Sequence, residues 1–298
     1  MMKKLALIAL VLMMIGAAIA FIGFAIGISP LSLDADGMHV REQLADKSEF
    51  LESYDSSTTV SVSVISENFE IVRSDRFGYT ISGDEQDTFD CQLDHDRLII
   101  KQRPIRSRVA FSWDWGWRLS KITIYIPSDM SIDNLTLDIA SGDIRIDSID
   151  AGSVSINGTS GNLTATQLTI ARDLDMRLAS GDVRIDSVTA HSAFLTATSG
   201  NFTATNLQIA DGLKTDMASG DVKIAGVLQG NLVFNTMSGN LRIEIDGKAS
   251  DYRRTIEGLS GSIRVNDDSG SLANNYPDGS NSININALSG DISIRFLR

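Results

Sequence analysis

Carboxylates set at a fixed interval are the first residues of this sequence that could do chemistry. They sit in a recurring bend: Ser141-Gly142-Asp143, Ser160-Gly161-Asn162, Ser180-Gly181-Asp182, Ser199-Gly200-Asn201, Ser219-Gly220-Asp221, Ser238-Gly239-Asn240, Ser260-Gly261-Ser262 and Ser289-Gly290-Asp291. Stacked acidic turns could hold calcium, which takes about six to eight oxygen ligands. In the first six copies, however, Asp alternates with Asn. The pattern therefore predicts structural turns and no metal site. A second candidate is the stripe Phe111, Trp113, Trp115 and Trp117, which holds every tryptophan of the chain at alternate positions. Alternation is the strand period, so the rings share one face. They either cap a core or form an aromatic platform for a sugar, a protein partner or a membrane surface. The pairs Thr164/Thr166, Thr196/Thr198 and Thr203/Thr205 resemble threonine arrays that bind ice. They skip coils, and threonine is an ordinary exposed strand residue. Asp94 and Asp96 flank His95, while His39 and His191 lie far away in sequence. That arrangement predicts a solvated turn, with no catalytic residue and no cofactor.

The elements that carry these residues follow from the spacing. The first six bend serines are 19, 20, 19, 20 and 19 residues apart, and the last two gaps are 22 and 29. A fixed period near 20 residues marks a repeat architecture. Three residues after each serine stand Ile144, Leu163, Val183, Phe202, Val222, Leu241, Ile263 and Ile292. Five residues after it stand Ile146, Ala165, Ile185, Ala204, Ile224, Ile243, Val265 and Ile294. Position eight is apolar through Ile149, Leu168, Val188, Leu207 and Val227. Each repeat thus reads as a short strand, a bend and a second short strand, with one face buried. Glycine takes positive φ freely, and Asp or Asn bonds its own backbone at a turn. One unit cannot bury its face alone, so units must stack into ladders. We expect one coil per 20 residues rather than a flattened coil of 39. Asp on every coil would lie ~4.8 Å from its copy and cost about 0.9 kcal/mol even in a water-like dielectric. Alternation doubles that spacing.

Residues 5–28 carry no charge or strong polar group, enough to span a bilayer as a helix. Lys3 and Lys4 precede this segment and Asp34 and Asp36 follow it, which predicts that the remainder lies outside the cytoplasm. The rival is a signal peptide cleaved after Ala18-Ile19-Ala20, but Phe21 continues an apolar run longer than such peptides carry. Without Lys3 and Lys4, 24 basic residues (26 − 2) face 38 acidic ones, a net of −14. This disfavours nucleic acid and anionic lipid as partners, both of which need basic patches. Cys91 is the only cysteine, so no internal disulfide forms, which fits an exported bacterial domain. Residues 29–57 read as a polar juxtamembrane stalk, part of it a short helix over 41–54. Residues 58–130 read as irregular N-terminal coils and a cap, and 131–298 as the repeats. The final segment, Ile292 to Arg298, reads as a last strand whose open edge is guarded by Arg295 and Arg298.

Ile124-Tyr-Ile-Pro-Ser leads into Leu135-Thr-Leu-Asp-Ile-Ala-Ser-Gly-Asp-Ile, and Ser-Gly-Asp-Ile/Val-x-Ile recurs after it. With the leader Met1-Met-Lys-Lys and its apolar span, this resembles the bacterial β-strand-repeat family of unknown function labelled candidate adhesins or toast-rack repeats. The resemblance covers residues 58–298. It implies a β-helical, non-enzymatic, extracytoplasmic domain, and some members look like accessory proteins of envelope-stress systems. The family defines no catalytic residues, and Ser262 departs from its bend pattern. The expectation is an all-β parallel β-helix (solenoid) with ~20-residue coils, preceded by one transmembrane helix. The expected protein is a single-pass bacterial membrane protein that acts as an extracytoplasmic scaffold or interaction module in envelope homeostasis or stress response. The alternative is an adhesin that binds a glycan or a host protein.

Overall fold

The computed structural model describes residues 31–34, 37–40, 46–83, 88–103, 120–266, 268–269, 275–276 and 278–298. The chain forms two compact units, residues 1–45 with 104–118, and 46–103 with 119–298. In the first, strands Leu31–Asp34 and Gly37–Val40 pair antiparallel. The apolar span 5–28 and the aromatic stripe 111–117 lie outside the described residues.

The second unit is an all-β solenoid of parallel strands. Each coil has an incoming strand that runs to the Ser-Gly bend and an outgoing strand that leaves it. Asp173–Ser180 and Val183–Ala190 are one such pair. Ile144 aligns with Leu163, Leu163 with Val183, and Val183 with Phe202. Neighbours in the stack are therefore one repeat apart, and the coil is of the 20-residue kind. The ladder at position five is fully interior: Ile146, Ala165, Ile185, Ala204, Ile224 and Ile243 are all 0 % exposed. Arg145 and Arg184, one residue before two of these, face solvent. Stacking like on like lets each side chain fill the space above its own copy, so the core is one continuous column.

A detail of the pattern has a conformational cause. Positions five and eight are both buried, yet they are an odd number of residues apart. A plain strand would turn one of them outward. The residue at position seven absorbs the difference in the left-handed region: Ser148, Gln167, Ser187 and Asn206 have φ of 55, 55, 57 and 54°. This kink splits each outgoing strand across two faces of the coil. The fifth copy departs from the rule, because Leu207 aligns with Gly226 across a register shift. Val227, expected inward at position eight, is only half-buried there, and Leu228 fills the core at 0 % exposed.

Both ends differ from their sequence reading. Residues 58–130 are not uniformly irregular. Strand Ser57–Ser74 is a full coil, lying between Ser131–Ser141 on one side and Arg97–Gln102 with Ser120–Pro127 on the other. Ser66 aligns with Ser141, so Ser66-Glu67-Asn68 is a further copy of the bend with Glu67 in the glycine position. Part of the expected helix over 41–54 is instead the strand Lys47–Leu51, paired antiparallel with Phe77–Ile81. Phe50 packs there against Tyr125 with ring centroids 5.3 Å apart, and this tertiary partner overrides local helix preference.

At the other end the last strands are out of order. Asn281–Ser289 pairs with Asn231–Ser238 on one side and with Tyr252–Gly258 on the other. Ile292–Phe296 likewise sits between Leu241–Ile245 and Ile263–Val265. The expected edge strand is thus interior to the sheet, and Arg298 grips Asp246 at 2.6 and 2.9 Å rather than guarding an edge. The outermost coil is the one formed by Tyr252–Gly258 and Ile263–Val265. Asp268–Ser269 and Asn275–Tyr276 fold back on it antiparallel.

Candidate binding faces

The bends build a hydrogen-bonded column along one edge of the stack. Asp143 N–H donates to Asn68 Oδ1 at 3.0 Å. Asn162 N–H and Nδ2 both donate to Asp143 Oδ1, at 2.9 and 3.1 Å. Asp182 N–H donates to Asn162 Oδ1 at 3.1 Å, and the pattern continues through Asn201, Asp221 and Asn240. Asp291 follows Asn240 at 3.1 Å, and Ser262 ends the column by donating its N–H and Oγ to Asp291 Oδ1 at 2.8 and 2.9 Å. Donation to the carboxylate holds the Asp291 pKa below its ordinary value, the Ser262 backbone N–H being the largest cause. Alternation thus does more than separate charges. Each Asp accepts two donors from the next coil, which a column of Asp alone could not supply. Ser262 breaks the sequence pattern because it is the last rung in space.

This column occupies Oδ1 of each bend aspartate. Among the described residues, no group of three or more His, Cys, Asp or Glu is placed to hold a metal. Calcium is accordingly expected to leave the melting temperature unchanged, because a ligand that binds the native state must raise it. Differential scanning fluorimetry with and without millimolar calcium checks this. A rise that disappears in Asp182→Asn would reverse the structural reading of the bends.

The outer rows of the sheets are also bonded to one another. Thr166 Oγ1 donates to Asp147 at 2.5 Å and Thr205 Oγ1 to Asp186 at 2.6 Å. The Thr205 hydroxyl is the main cause that lowers the Asp186 pKa. Two of the threonines expected to be ordinary exposed residues, Thr166 and Thr205, are therefore partners of the aspartates one coil away. On the face of the incoming strands, Asn157 Nδ2 donates to Asp138 at 2.8 Å and Asn235 Nδ2 to Asp216 at 2.6 Å. Phe194 breaks this polar face. Its ring lies between the Arg177 guanidinium, 5.4 Å from the centroid, and the Lys214 ammonium at 5.0 Å. Those cations are in turn paired with Asp175 at 2.7 Å and Asp216 at 2.9 Å. Beside this cluster a shallow depression of about 510 Å³ opens where Gly158 stands between Ile139 and Leu178. The face can stack on and hydrogen-bond to a partner. In the sequence Phe194 is an aromatic between Asp175 and Lys214, its neighbours in the row one coil away on either side.

His95 lies in an exposed turn, where its carbonyl accepts the Asp55 N–H at 3.1 Å, and Asp94 accepts from Gln92 at 2.7 Å. His191 approaches Asp211 at 3.6 Å on the open surface. Cys91 is half-buried, and burial pushes its thiol pKa up, which suppresses the reactive thiolate. The strands Arg97–Gln102 and Ser120–Pro127 pair with the two halves of Ser57–Ser74.

A family model described as Toastrack DUF4097 matches residues 57–295. Among curated proteins none matches the chain. A candidate adhesin of Parabacteroides distasonis ATCC 8503 is similar in structure at 11% identity and a TM-score of 0.50, with 84% of this chain and 96% of that one covered. A candidate adhesin of Bacteroides fragilis NCTC 9343 matches at 14% identity and a TM-score of 0.47, covering 86% and 99%. A candidate lipid-binding protein of Parabacteroides distasonis matches at 17% identity and a TM-score of 0.39, covering 85% and 97%.

Proposed function

The chain belongs to the Toastrack DUF4097 family, and from that premise we propose that it is a non-enzymatic interaction module, anchored by residues 5–28 and displayed outside a bacterial cell membrane. In this reading it acts as a scaffold in envelope homeostasis or stress response. The observation that carries it is where the polar side chains go. Carboxylates and amides of successive coils bond to one another along the bend edge and across both faces, as Asn162 does to Asp143 and Asn157 to Asp138. Such groups stiffen the stack and present a regular surface, and are engaged with one another rather than poised as acid, base or nucleophile. The partner is a protein or a glycan rather than nucleic acid, since the formal charge is −12.

The second reading, a secreted adhesin, draws on the stacked Phe194 cluster. Aromatic rings flanked by hydrogen-bonding side chains suit sugar faces. One experiment separates the two. In cells of the native host the protein is expected to fractionate with membranes at full length, and added protease is expected to release the solenoid from outside. A mature protein that begins near Phe21 and accumulates in the medium would sink the anchored scaffold and favour the adhesin.

A further inference from the structure

The face of the incoming strands carries three outward rows along the stack, at one, three and five residues before the bend serine. The first row is uneven. Through five successive coils it is small: Ala140, Thr159, Ala179, Thr198 and Ala218. Beyond Ala140 stands Ile65, because Val64 aligns with Ile139 and Ser66 with Ser141. Beyond Ala218 stand Met237, Leu288 and Leu259, in that order in space. Ile65, Met237, Leu288 and Leu259 are 49%, 58%, 49% and 81% exposed, and they are four of the five large hydrophobic residues exposed among the described residues. Adjacent exposed apolar side chains mark an interaction surface, where scattered single ones would not. The depression of about 510 Å³ lies in the small part of the same row, with Ala140, Thr159 and Ala179 in its lining. One row thus carries both a raised apolar segment and a hollow.

The other two rows carry charge in a matching order. In the row at minus five, Phe194 has Asp175 one coil before it and Lys214 one coil after. In the row at minus three, Thr196 has Arg177 one coil before it and Asp216 one coil after. Within the chain Asp175 pairs with Arg177 at 2.7 Å and Lys214 with Asp216 at 2.9 Å. The two pairs are opposed: negative then positive along one strand, positive then negative two coils on. Consider a two-fold axis parallel to the strands, in the plane of contact over Phe194 and Thr198. It reverses the order of the coils and leaves every row facing itself. Asp175 then meets Lys214 of the second copy, Arg177 meets Asp216, and the two Phe194 rings meet on the axis.

The same rotation matches the apolar row to itself. Thr159 and Met237 lie two coils from Thr198 on opposite sides, and Ala140 and Leu288 lie three coils from it. Met237 and Leu288 of one copy are therefore set over Thr159 and Ala140 of the other, in the hollow. Ile65 and Leu259, one coil further out on each side, are set on each other. A surface complementary to itself in shape and in charge is what a closed two-fold interface requires. Three rows along the strands by nine bends along the stack give about 1,000 Å² over both copies before side-chain relief is counted, which reaches the size a specific interface needs. A neutral glycan on Phe194 would leave Met237, Leu288 and Leu259 uncovered and the opposed charge pairs unanswered.

We propose that this chain forms a homodimer, face to face, through the incoming-strand face centred on Phe194 and Thr198, with the two stacks running in opposite directions. Asp175 and Arg177 of each copy answer Lys214 and Asp216 of its mate, and the raised apolar segment of each fills the hollow of the other. The dimer rests on neither the anchoring nor the adhesin reading above.

The test uses the purified full-length chain in a mild non-ionic detergent. Sedimentation equilibrium is expected to give twice the 32.2 kDa of the chain for the wild type. Asp175→Lys/Arg177→Asp keeps the ion pair within its own coil but reverses it, so that like charges meet across the axis. Lys214→Asp/Asp216→Lys does the same from the other side. Each double variant alone is expected to dimerise at least about tenfold more weakly than the wild type. Mixed in equal amounts, the two are expected to form a heterodimer within about threefold of the wild-type dissociation constant, because every contact is again between opposite charges. A role confined to folding of the single chain gives no such recovery on mixing. In a Cys91→Ser background, a bis-maleimide is expected to link Thr198→Cys into dimers, since Thr198 lies on the axis and packed sheet faces stand about 10 Å apart, too far for a disulfide. Thr189→Cys, exposed on an outgoing strand, is expected to stay unlinked. A wild type that remains monomeric would overturn the proposal and leave the Phe194 face to a glycan or a different protein. Equal linking of the two cysteine variants, or a mixture no tighter than its parts, would overturn it as well. Circular dichroism of every variant identifies any that fails to fold, and for that variant the remaining arms decide.

Discussion

Gly181→Ala is expected to destabilise the solenoid by at least about 3 kcal/mol, read as a fall in the urea midpoint at unchanged slope. A Cβ at this position would lie 1.9 Å from the Gly161 carbonyl oxygen, and φ is +121°, where L side chains are rarely found. The neighbour is backbone, so no rotamer change relieves the overlap. Spreading the coils instead would stretch the bond by which Asp182 N–H reaches Asn162 Oδ1 at 3.1 Å. Gly158→Ala is the control. There the backbone is not in the positive-φ region, and the added methyl would meet Leu178 Cγ at an ordinary 3.4 Å. That variant is expected to be neutral or up to about 1 kcal/mol more stable, because alanine restricts the unfolded chain. Equal losses in the two variants would mean that the close stacking of glycine on glycine is not what holds the bends.

The second large effect concerns the core column. Ile185→Asp is expected to cost more than about 4 kcal/mol, the sum of lost apolar burial and a carboxylate with no partner. Ile185 is 0 % exposed and is stacked between Ala165 and Ala204. Arg184→Ser, one residue away, is expected to change stability by no more than about 0.5 kcal/mol, because Arg184 points to solvent. Loss of the β-sheet circular dichroism signal in the first variant, with an unmoved melting curve in the second, is the expected pair of results. Similar behaviour of the two would show that the inward face has been misassigned.

Much of this was legible because the repeat is strict. The apolar positions three and five after each serine named the column correctly, since a period of two with one buried side has one solution for a given bend. The interval between positions five and eight also carried the kink at Ser148, Gln167, Ser187 and Asn206. The kink is not readable from residue type, because neither Ser, Gln nor Asn by itself demands positive φ. Ser66-Glu67-Asn68 does not show the repeat in sequence, because glutamate stands where every other copy has glycine. The Phe194 cluster needed three coils to assemble, as Arg177 and Lys214 are distant from it in sequence.

The amino-acid sequence by itself determined the coil: its length, its inward residues, its bend chemistry and the absence of a disulfide. These follow from local periodicity and from backbone preferences, which act over a few residues. Only the tertiary structure decided the order of the coils. Asn240, Asp291 and Ser262 form consecutive rungs, although in sequence Ser262 comes before Asp291. Parallel stacking is sequence-neutral at the backbone, so any coil of the right length can lie on any other. The choice falls to side chains that meet only after folding. Asn240 gives its amide donor to Asp221 and accepts the Asp291 N–H on its Oδ1, while Asp291 receives the N–H and Oγ of Ser262, which has no amide carbonyl to offer and ends the column. That same choice placed Leu259, Glu257 and Arg264 on a coil that follows Asp291 in space although it precedes it in sequence.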